Sequence, residues 1–410
     1  MRIDMNRTRL TSIFLFFIFF AAYVADVILT HEGFTSRLPG GNDSLPRYVG
    51  AQAWLFEGIS PYSDEVMHRS QEMMYGRLAA PGEDKQRFAY PFYTIFFYLP
   101  LAFFSWDWAQ AIGIATLEFA FVIMVILSLR LYRWKPPLWL FVLTLLSMLF
   151  MYHEVRTIFL VQFAGIAALL IVLSLWALKE RYDILAGIVL ALSSAKPQMS
   201  FLIIPLLGIW GLLNKRWHFL ASLAITMFIL LGLSFAFVPT WLFDFIPQLA
   251  DYTTYTAIGS PLNILTTIVF PSLNPNVEYG LIGLFLIWLL WEWWRVRHKL
   301  DGRQLDWVIA LTLIITNLVV TRTATTNYIM MLPALFLVFK IVSERYGVKA
   351  NGWIAVSEII LLVGIWVLFA FTVQGNQEQW QVYFPLPFGL LIAMIIFKPK
   401  ADDVELSPQT

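Results

Sequence analysis

Apolar runs long enough, or nearly long enough, to cross a bilayer recur along most of this chain and leave it few folds to choose from. They fall at 10–30, 107–130, 138–153, 157–178, 182–195, 198–213, 217–238, 277–294, 306–320, 325–342, 353–373 and 384–397. Hydrocarbon holds no water to satisfy backbone N–H and C=O groups, so apolar spans of this length are helical. The expected fold class is an all-α integral membrane protein, a polytopic bundle of about 12 transmembrane helices. Composition agrees. Of 410 residues, 59% are hydrophobic and only 13% charged, against roughly 25% charged in soluble domains. A net charge of +1 gives no sign of a nucleic-acid partner. The absence of cysteine excludes disulfides, thiol catalysis and Cys-based metal sites.

Charge sets the expected orientation. The basic stretch Met1–Arg9 leads into a run too long for a signal peptide and without its cleavage site, so it reads as a retained first span with its N-terminus in the cytoplasm. Segment 90–105 is apolar but short, and contains Pro91 and Pro100. If it does not cross, most of the 28 basic residues fall on the cytoplasmic side, in the short connections near 130–135, 179–181, 215–216, 295–303 and 340–349. If it crosses, everything downstream flips and only Arg2, Arg7, Arg9, Arg156, Lys196 and Arg322 remain inside. The segment therefore reads as an interfacial or re-entrant helix, with both chain termini cytoplasmic. The chain is then one polytopic domain, 1–400, followed by a polar tail, 401–410.

Two connections on the outer side are long, 31–89 and 239–276. In the first, Pro46–Glu57 reads as a helix ended by Gly58, and Asp64–Ala79 as an amphipathic one with Met67, Met74 and Leu78 on one face, both lying along the membrane surface. Trp241–Phe245 in the second is also interfacial in character.

Several charges stand out against this layout. Asp43 follows Gly40-Gly41-Asn42 at the start of the first long loop. It is either the chemical group of that loop or a turn and helix-capping residue, for which its neighbours are equally suited. Lys196 lies in Ser194-Ala195-Lys196-Pro197, between two runs too short for a full crossing, so it is recessed and needs an anion or a wet cavity. Arg322 occupies a similar outer turn, and Arg156 is a third such cation, which pairs most simply with the neighbouring Glu154. Taken singly, each is explained by snorkelling to headgroups. Together they fit an anionic ligand at the outer leaflet, a lipid phosphate above all. Glu118 sits in mid-span and should face the interior, and Asp26 is placed to face the same cavity as Asp43. The five histidines are scattered, and no metal-ligand spacing, Gly-x-Ser-x-Gly or phosphate-binding glycine loop is present, so neither a metal site nor a cofactor is expected.

The order and spacing of several stretches carry a resemblance. They are Asp43 followed by Arg47-Tyr48-Val49-Gly50-Ala51-Gln52-Ala53-Trp54-Leu55, Gly58-Ile59-Ser60-Pro61-Tyr62, Phe88-Ala89-Tyr90-Pro91, Gln162 at the start of a span, Ala186-Gly187 leading to Ala195-Lys196-Pro197, and Ser260-Pro261-Leu262-Asn263. With one span before an acidic residue in a large outer loop, the chain resembles the GT-C glycosyltransferases. More narrowly, over about 20–340, it resembles glycosyltransferase family 87, the polyprenol-phosphate-mannose-dependent alpha-mannosyltransferases and their relatives. The resemblance implies a GT-C-like helical bundle in the plasma membrane, with its active site on the outer face. It implies a polyprenyl-phosphate sugar as donor, a lipid or glycan hydroxyl as acceptor, and inverting transfer with Asp43 as general base. Lys196 and Arg322 would bind the donor phosphate, and Asn42, Arg47, Tyr48, Tyr90, Gln162, Asn263 and Asn327 would line the substrate pocket. Family members often carry His where this chain reads Thr326-Asn327-Tyr328, and Asn327 cannot carry charge near neutral pH. A multi-span transporter of a lipid-linked or small anionic substrate is the alternative, and a non-catalytic lipid-binding scaffold a third. Glu118 and the Lys196-Pro197 break fit a transporter loosely, but no internal repeat is visible.

Overall fold

The computed structural model describes residues 5–38, 40–255, 259–320, 322–375 and 378–399, and the expected tail 401–410 lies outside them. The described residues are helical, with no strand among them. Six helical segments are long and apolar enough to cross a membrane: Ile13–Thr35, Trp106–Leu131, Trp217–Phe237, Asn276–Val296, Thr325–Tyr346 and Val348–Thr372. A seventh arises if Leu138–Phe150 and Tyr152–Phe159, bent by 47°, count as one span. Ala164–Lys179, Asp183–Ser193, Ile203–Leu213 and Trp380–Ile396 are apolar but shorter, so 12 full spans are not established.

One boundary moves in a way that matters. The run read as one span over 157–178 is broken. Its first residues complete the Tyr152–Phe159 helix, Val161 turns the chain in the left-handed region at φ 47°, and a new helix starts at Ala164. Gln162 therefore sits in a break between helices, with its side chain free to reach sideways.

Segment 90–105 does not form a crossing helix. It breaks into short turns at Phe92–Thr94, Ile95–Tyr98 and Leu101–Phe103, as its two prolines dictate. Phe92, Thr94, Ile95, Tyr98 and Ala102 are buried, so protein encloses the first part of the segment, while Pro100 and Phe103, Phe104 and Ser105 at its end are exposed.

The first long loop departs from the surface arrangement expected of it. The helix over Leu45–Gln52, continued to Glu57 and stopped by Gly58 at φ 69°, has the predicted length but is no surface helix, because every residue from Leu45 to Ala51 is buried. Tyr48 packs on Trp106 and donates its hydroxyl to the Phe104 carbonyl (2.7 Å), while Gln52 bonds the Ala102 carbonyl (3.1 Å). Polar side chains here satisfy backbone groups inside the protein, which a search for a water-facing stripe cannot detect. The next helix, Asp64–Tyr75, starts at the Ser63 side-chain cap and stops at Gly76, short of Ala79. It buries Val66, Ser70 and Gln71 instead of the predicted methionine face, and Leu78 is exposed beyond its end. Where the loop leaves and rejoins the bundle, His31 bonds Asp107 (2.8 Å) and stacks on Trp108, and Thr35 bonds the Asp107 carbonyl (2.8 Å). The second long loop folds over the first. Its helix Trp241–Tyr255 is tied down by Asp251 to Lys85 (2.8 Å) and by Gln248 to the Tyr62 carbonyl (2.9 Å) and the Ala89 amide (3.2 Å).

One charge expectation changes. Arg156 pairs with Glu378 (3.2 Å), not Glu154, whose buried oxygens have no hydrogen-bond partner. Glu378 also accepts from Tyr152 (2.7 Å), Tyr383 (3.1 Å) and Thr325, so a residue from the far C-terminal part of the chain anchors three elements. Asp26 lies near Glu118 across the contact between the first helix and Trp106–Leu131.

Two stability predictions follow from this packing. A Cβ on Gly187 would lie 2.5 Å from the Phe219 carbonyl and 2.7 Å from the Leu223 amide, backbone atoms that cannot rotate away. Gly187→Ala should cost roughly 1–3 kcal/mol, read as a lowered thermal midpoint in nanodiscs; an unchanged midpoint would show that the two helices do not cross this closely. Glu378→Ala leaves the Arg156 guanidinium without its anion and should cost roughly 3–5 kcal/mol. If Arg156→Ala and Glu378→Ala prove additive in a double-mutant cycle, the pair is not coupled.

Candidate active site

The site begins with two glycines in close quarters. A Cβ on Gly40 would lie 2.6 Å from the Gln110 amide nitrogen, and one on Gly41, at φ 69°, 2.9 Å from the Trp106 ring. At Gly41 the positive φ and the ring favour glycine, and the chain passes tight against Trp106–Leu131. The Gly41 amide donates to the Phe159 carbonyl (3.2 Å), the last residue before the helix break. Ser44 donates to the Val161 carbonyl within that break and pairs with the Tyr98 hydroxyl (3.0 Å). Unwinding at 160–163 thus frees carbonyls that hold the Asp43 turn in place.

The Asp43 side chain does not cap the helix that follows. Its Oδ2 accepts from Gln162 Nε2 at 2.5 Å, and its backbone carbonyl accepts from Arg47 (2.7 Å). Gln162 Oε1 in turn accepts from Lys196 Nζ at 2.8 Å and from the Tyr90 hydroxyl at 3.3 Å. Arg47 is buried, with its guanidinium 4.1 Å from the centre of the Tyr90 ring. Lys196 is 1% exposed and Gln162 8%, whereas Asp43 remains half-buried with an open side. The Lys196 turn is fixed by the broken segment 90–105: Tyr93 donates to the Ser194 carbonyl (3.2 Å) and Thr94 to that of Ala195 (3.0 Å).

Asp43, Arg47, Tyr90, Gln162 and Lys196 are therefore brought together. Others have different employment. Tyr48 is buried with its hydroxyl committed to Phe104. Asn263, in the first turn of Pro261–Val269, donates to Glu278 (2.7 Å). Asn42 is exposed beside Asp43. Arg322 lies half-buried in the connection after Arg303–Val319. Asn327, buried, fastens that connection by donating to Thr323 (3.0 Å), and its own Oδ1 has no partner.

One acidic group escaped the sequence reading. Glu83 is held down to about 2 by its hydrogen bond to Arg77, but its neighbour Asp84 turns inward. Burial pushes the Asp84 carboxyl up, opposed by its bond to the Gln86 amide, and it feels the charges of both Asp43 and Arg47. In sequence Asp84 is indistinguishable from a solvated loop acid. Among the described residues no group of three His, Asp or Glu side chains is placed to hold a metal ion.

Chemically, this is a carboxylate with one oxygen engaged and an open side, set near a buried ammonium and a buried guanidinium. It can accept a proton from a hydroxyl while the cations stand by an anionic leaving group.

Comparison with known proteins supplies the reaction class. The sequence model of glycosyltransferase family 87 matches residues 88–321, more than half of the chain, and the match includes Tyr90, Gln162, Lys196 and Asn263 but begins after Asp43. No curated protein and no solved structure matches it. With a helical body built for a membrane and a carboxylate–amide–ammonium cluster at one end, the chain belongs to glycosyltransferase family 87 and is a glycosyltransferase.

Proposed function

We propose that this enzyme transfers a hexose, mannose in the first instance, from a polyprenyl-phosphate sugar to a lipid or glycan hydroxyl at the outer face of the plasma membrane. The observation that carries the reading is the Asp43 carboxylate, half-open and hydrogen-bonded through Gln162 to the buried Lys196. Asp43 acts as the general base. It takes the acceptor proton as the acceptor oxygen attacks the anomeric carbon; the bond from that carbon to the phosphate oxygen breaks, and the phosphate keeps the electron pair. Attack opposite the leaving group inverts the anomeric configuration.

The leaving phosphate gains negative charge as its bond to the sugar lengthens. Lys196 gives one N–H to Gln162 and has two more to offer, and Arg322 supplies a planar donor fork. Both stabilise that charge where it develops. Arg47, Tyr90 and Asn42 line the sugar and acceptor pocket, with Asn327 shaping it by holding the connection that carries Arg322. The lipid-linked donor accounts for a chemistry run beside membrane spans, since its polyprenyl tail stays in the bilayer.

The test uses purified protein in nanodiscs with radiolabelled polyprenyl-phosphate-mannose and a lipid acceptor extract. Asp43→Asn should lower turnover by about 10²–10⁴-fold with donor binding retained; full activity in that variant rejects the base. Lys196→Ala and Arg322→Ala should each weaken donor binding, and unchanged affinity in both removes the phosphate site. Turnover with another polyprenyl-phosphate hexose but not with mannose would keep the mechanism and change the sugar.

A further inference from the structure

We propose that Gln162 is a positioning residue, which locks the Asp43 carboxylate in its working orientation and ties it to the charge of Lys196. The inference rests on Asp43 being the base, and it assigns Gln162 to the base and not to the sugar pocket.

With Lys196 protonated and Asp43 ionised, the hydrogen-bond chemistry of the trio admits one arrangement. An ammonium has donors only and an ionised carboxylate acceptors only. A side chain that bonds both at once must present an acceptor to one and a donor to the other. The glutamine amide does this: Oε1 faces Lys196 at 2.8 Å and Nε2 faces Asp43 at 2.5 Å. The two partners therefore fix which end of the amide is oxygen, and Tyr90, bonding Oε1 at 3.3 Å, agrees with them. Lys196 is 1% exposed and makes its bond to the amide rather than directly to the carboxylate. A direct ion pair would bring the ammonium onto the oxygen that must take the proton. The interposed amide keeps the anion near the cation while one carboxylate oxygen remains open.

The backbone supports the same reading. Gln162 sits in the break between Tyr152–Phe159 and Ala164–Lys179, next to Val161 in its left-handed conformation. The Val161 carbonyl is bonded by Ser44, the residue after Asp43. The Gly41 amide bonds Phe159, three residues before Gln162. Backbone and side chain thus fix the Asp43 turn to the break and the residue before it, and little freedom is left between the amide and the carboxylate it holds.

Gln162→Glu and Gln162→Leu test this in nanodiscs with the radiolabelled donor, by measuring kcat and KM against pH. Glutamic acid has the shape of glutamine, and while neutral it donates from O–H and accepts at C=O; once ionised it can only accept and it repels Asp43. Gln162→Glu should therefore approach wild-type kcat on the acid side and lose it as pH rises, at a lower pH than wild type does. Gln162→Leu, which offers neither bond, should lower kcat by about 10- to 100-fold with little change in KM, and shift the acid limb of its profile to higher pH, because the charged base has lost a donor. A wild-type pH profile in Gln162→Glu at full kcat overturns the proposal, as does a KM effect alone, which would make Gln162 a sugar contact. If Gln162→Leu does not fold, the Glu variant still decides. Asp43→Asn in the same assay separates the two ideas. Activity there removes the base itself, while an inactive Asp43→Asn beside indifferent Gln162 variants removes only the positioning role.

Discussion

A buried ammonium sets the terms for one end of this molecule. Lys196 is sealed among apolar helices, and taking such a charge out of water costs several kcal/mol unless it is bonded and balanced. Its bond goes to Gln162 and its nearest balancing charge is Asp43. Each of the three lies where a helix cannot continue: Asp43 in a glycine turn, Gln162 in an unwound break, Lys196 immediately before Pro197. Regular helices satisfy their own backbone groups and have little to offer a ligand; the interruptions supply both the reach of the side chains and the spare carbonyls that hold them.

The surrounding structure serves the same constraint. The Leu45–Gln52 helix and the turns at 92–103 form a plug between the long helices, and Tyr93 and Thr94 of that plug hold the turn that carries Lys196. The Trp241–Tyr255 helix closes over the first loop through Gln248 and Asp251. On another side, Glu378 collects Arg156, Tyr152, Thr325 and Tyr383, linking the bent helix pair to the connection before the last helix.

Much of this was legible before any coordinates. Hydrophobic length located most of the helices, the two prolines broke 90–105 into short turns, and Gly58 ended its helix as a left-handed cap. Asp43, Gln162 and Lys196 were each visible as residues, because polar groups in an apolar chain are conspicuous. Their bonding was not visible, since Asp43 and Gln162 are 119 positions apart. Arg156 misled for the same reason: adjacent Glu154 was the obvious anion, yet the helix turns it elsewhere and Glu378 takes its place. The surface placement of 45–57 failed because polarity in a membrane protein marks interior contacts as often as water. Tyr48 and Asn263 looked like pocket residues and are occupied with Phe104 and Glu278. Asp84 was overlooked because nothing local separates an inward-facing loop acid from a solvated one.

The helix break at 160–163 also has a consequence for biosynthesis. The Asp43 turn emerges early in the chain, but its bonding partners on Phe159, Val161 and Gln162, and the cation behind them, are made much later. Closing a loop of that length must wait until the intervening helices are in place. The nascent protein therefore carries this cluster unassembled until nearly half of the chain has been made, and the Asp43 carboxylate reaches its final position only once the Lys196 turn has been delivered.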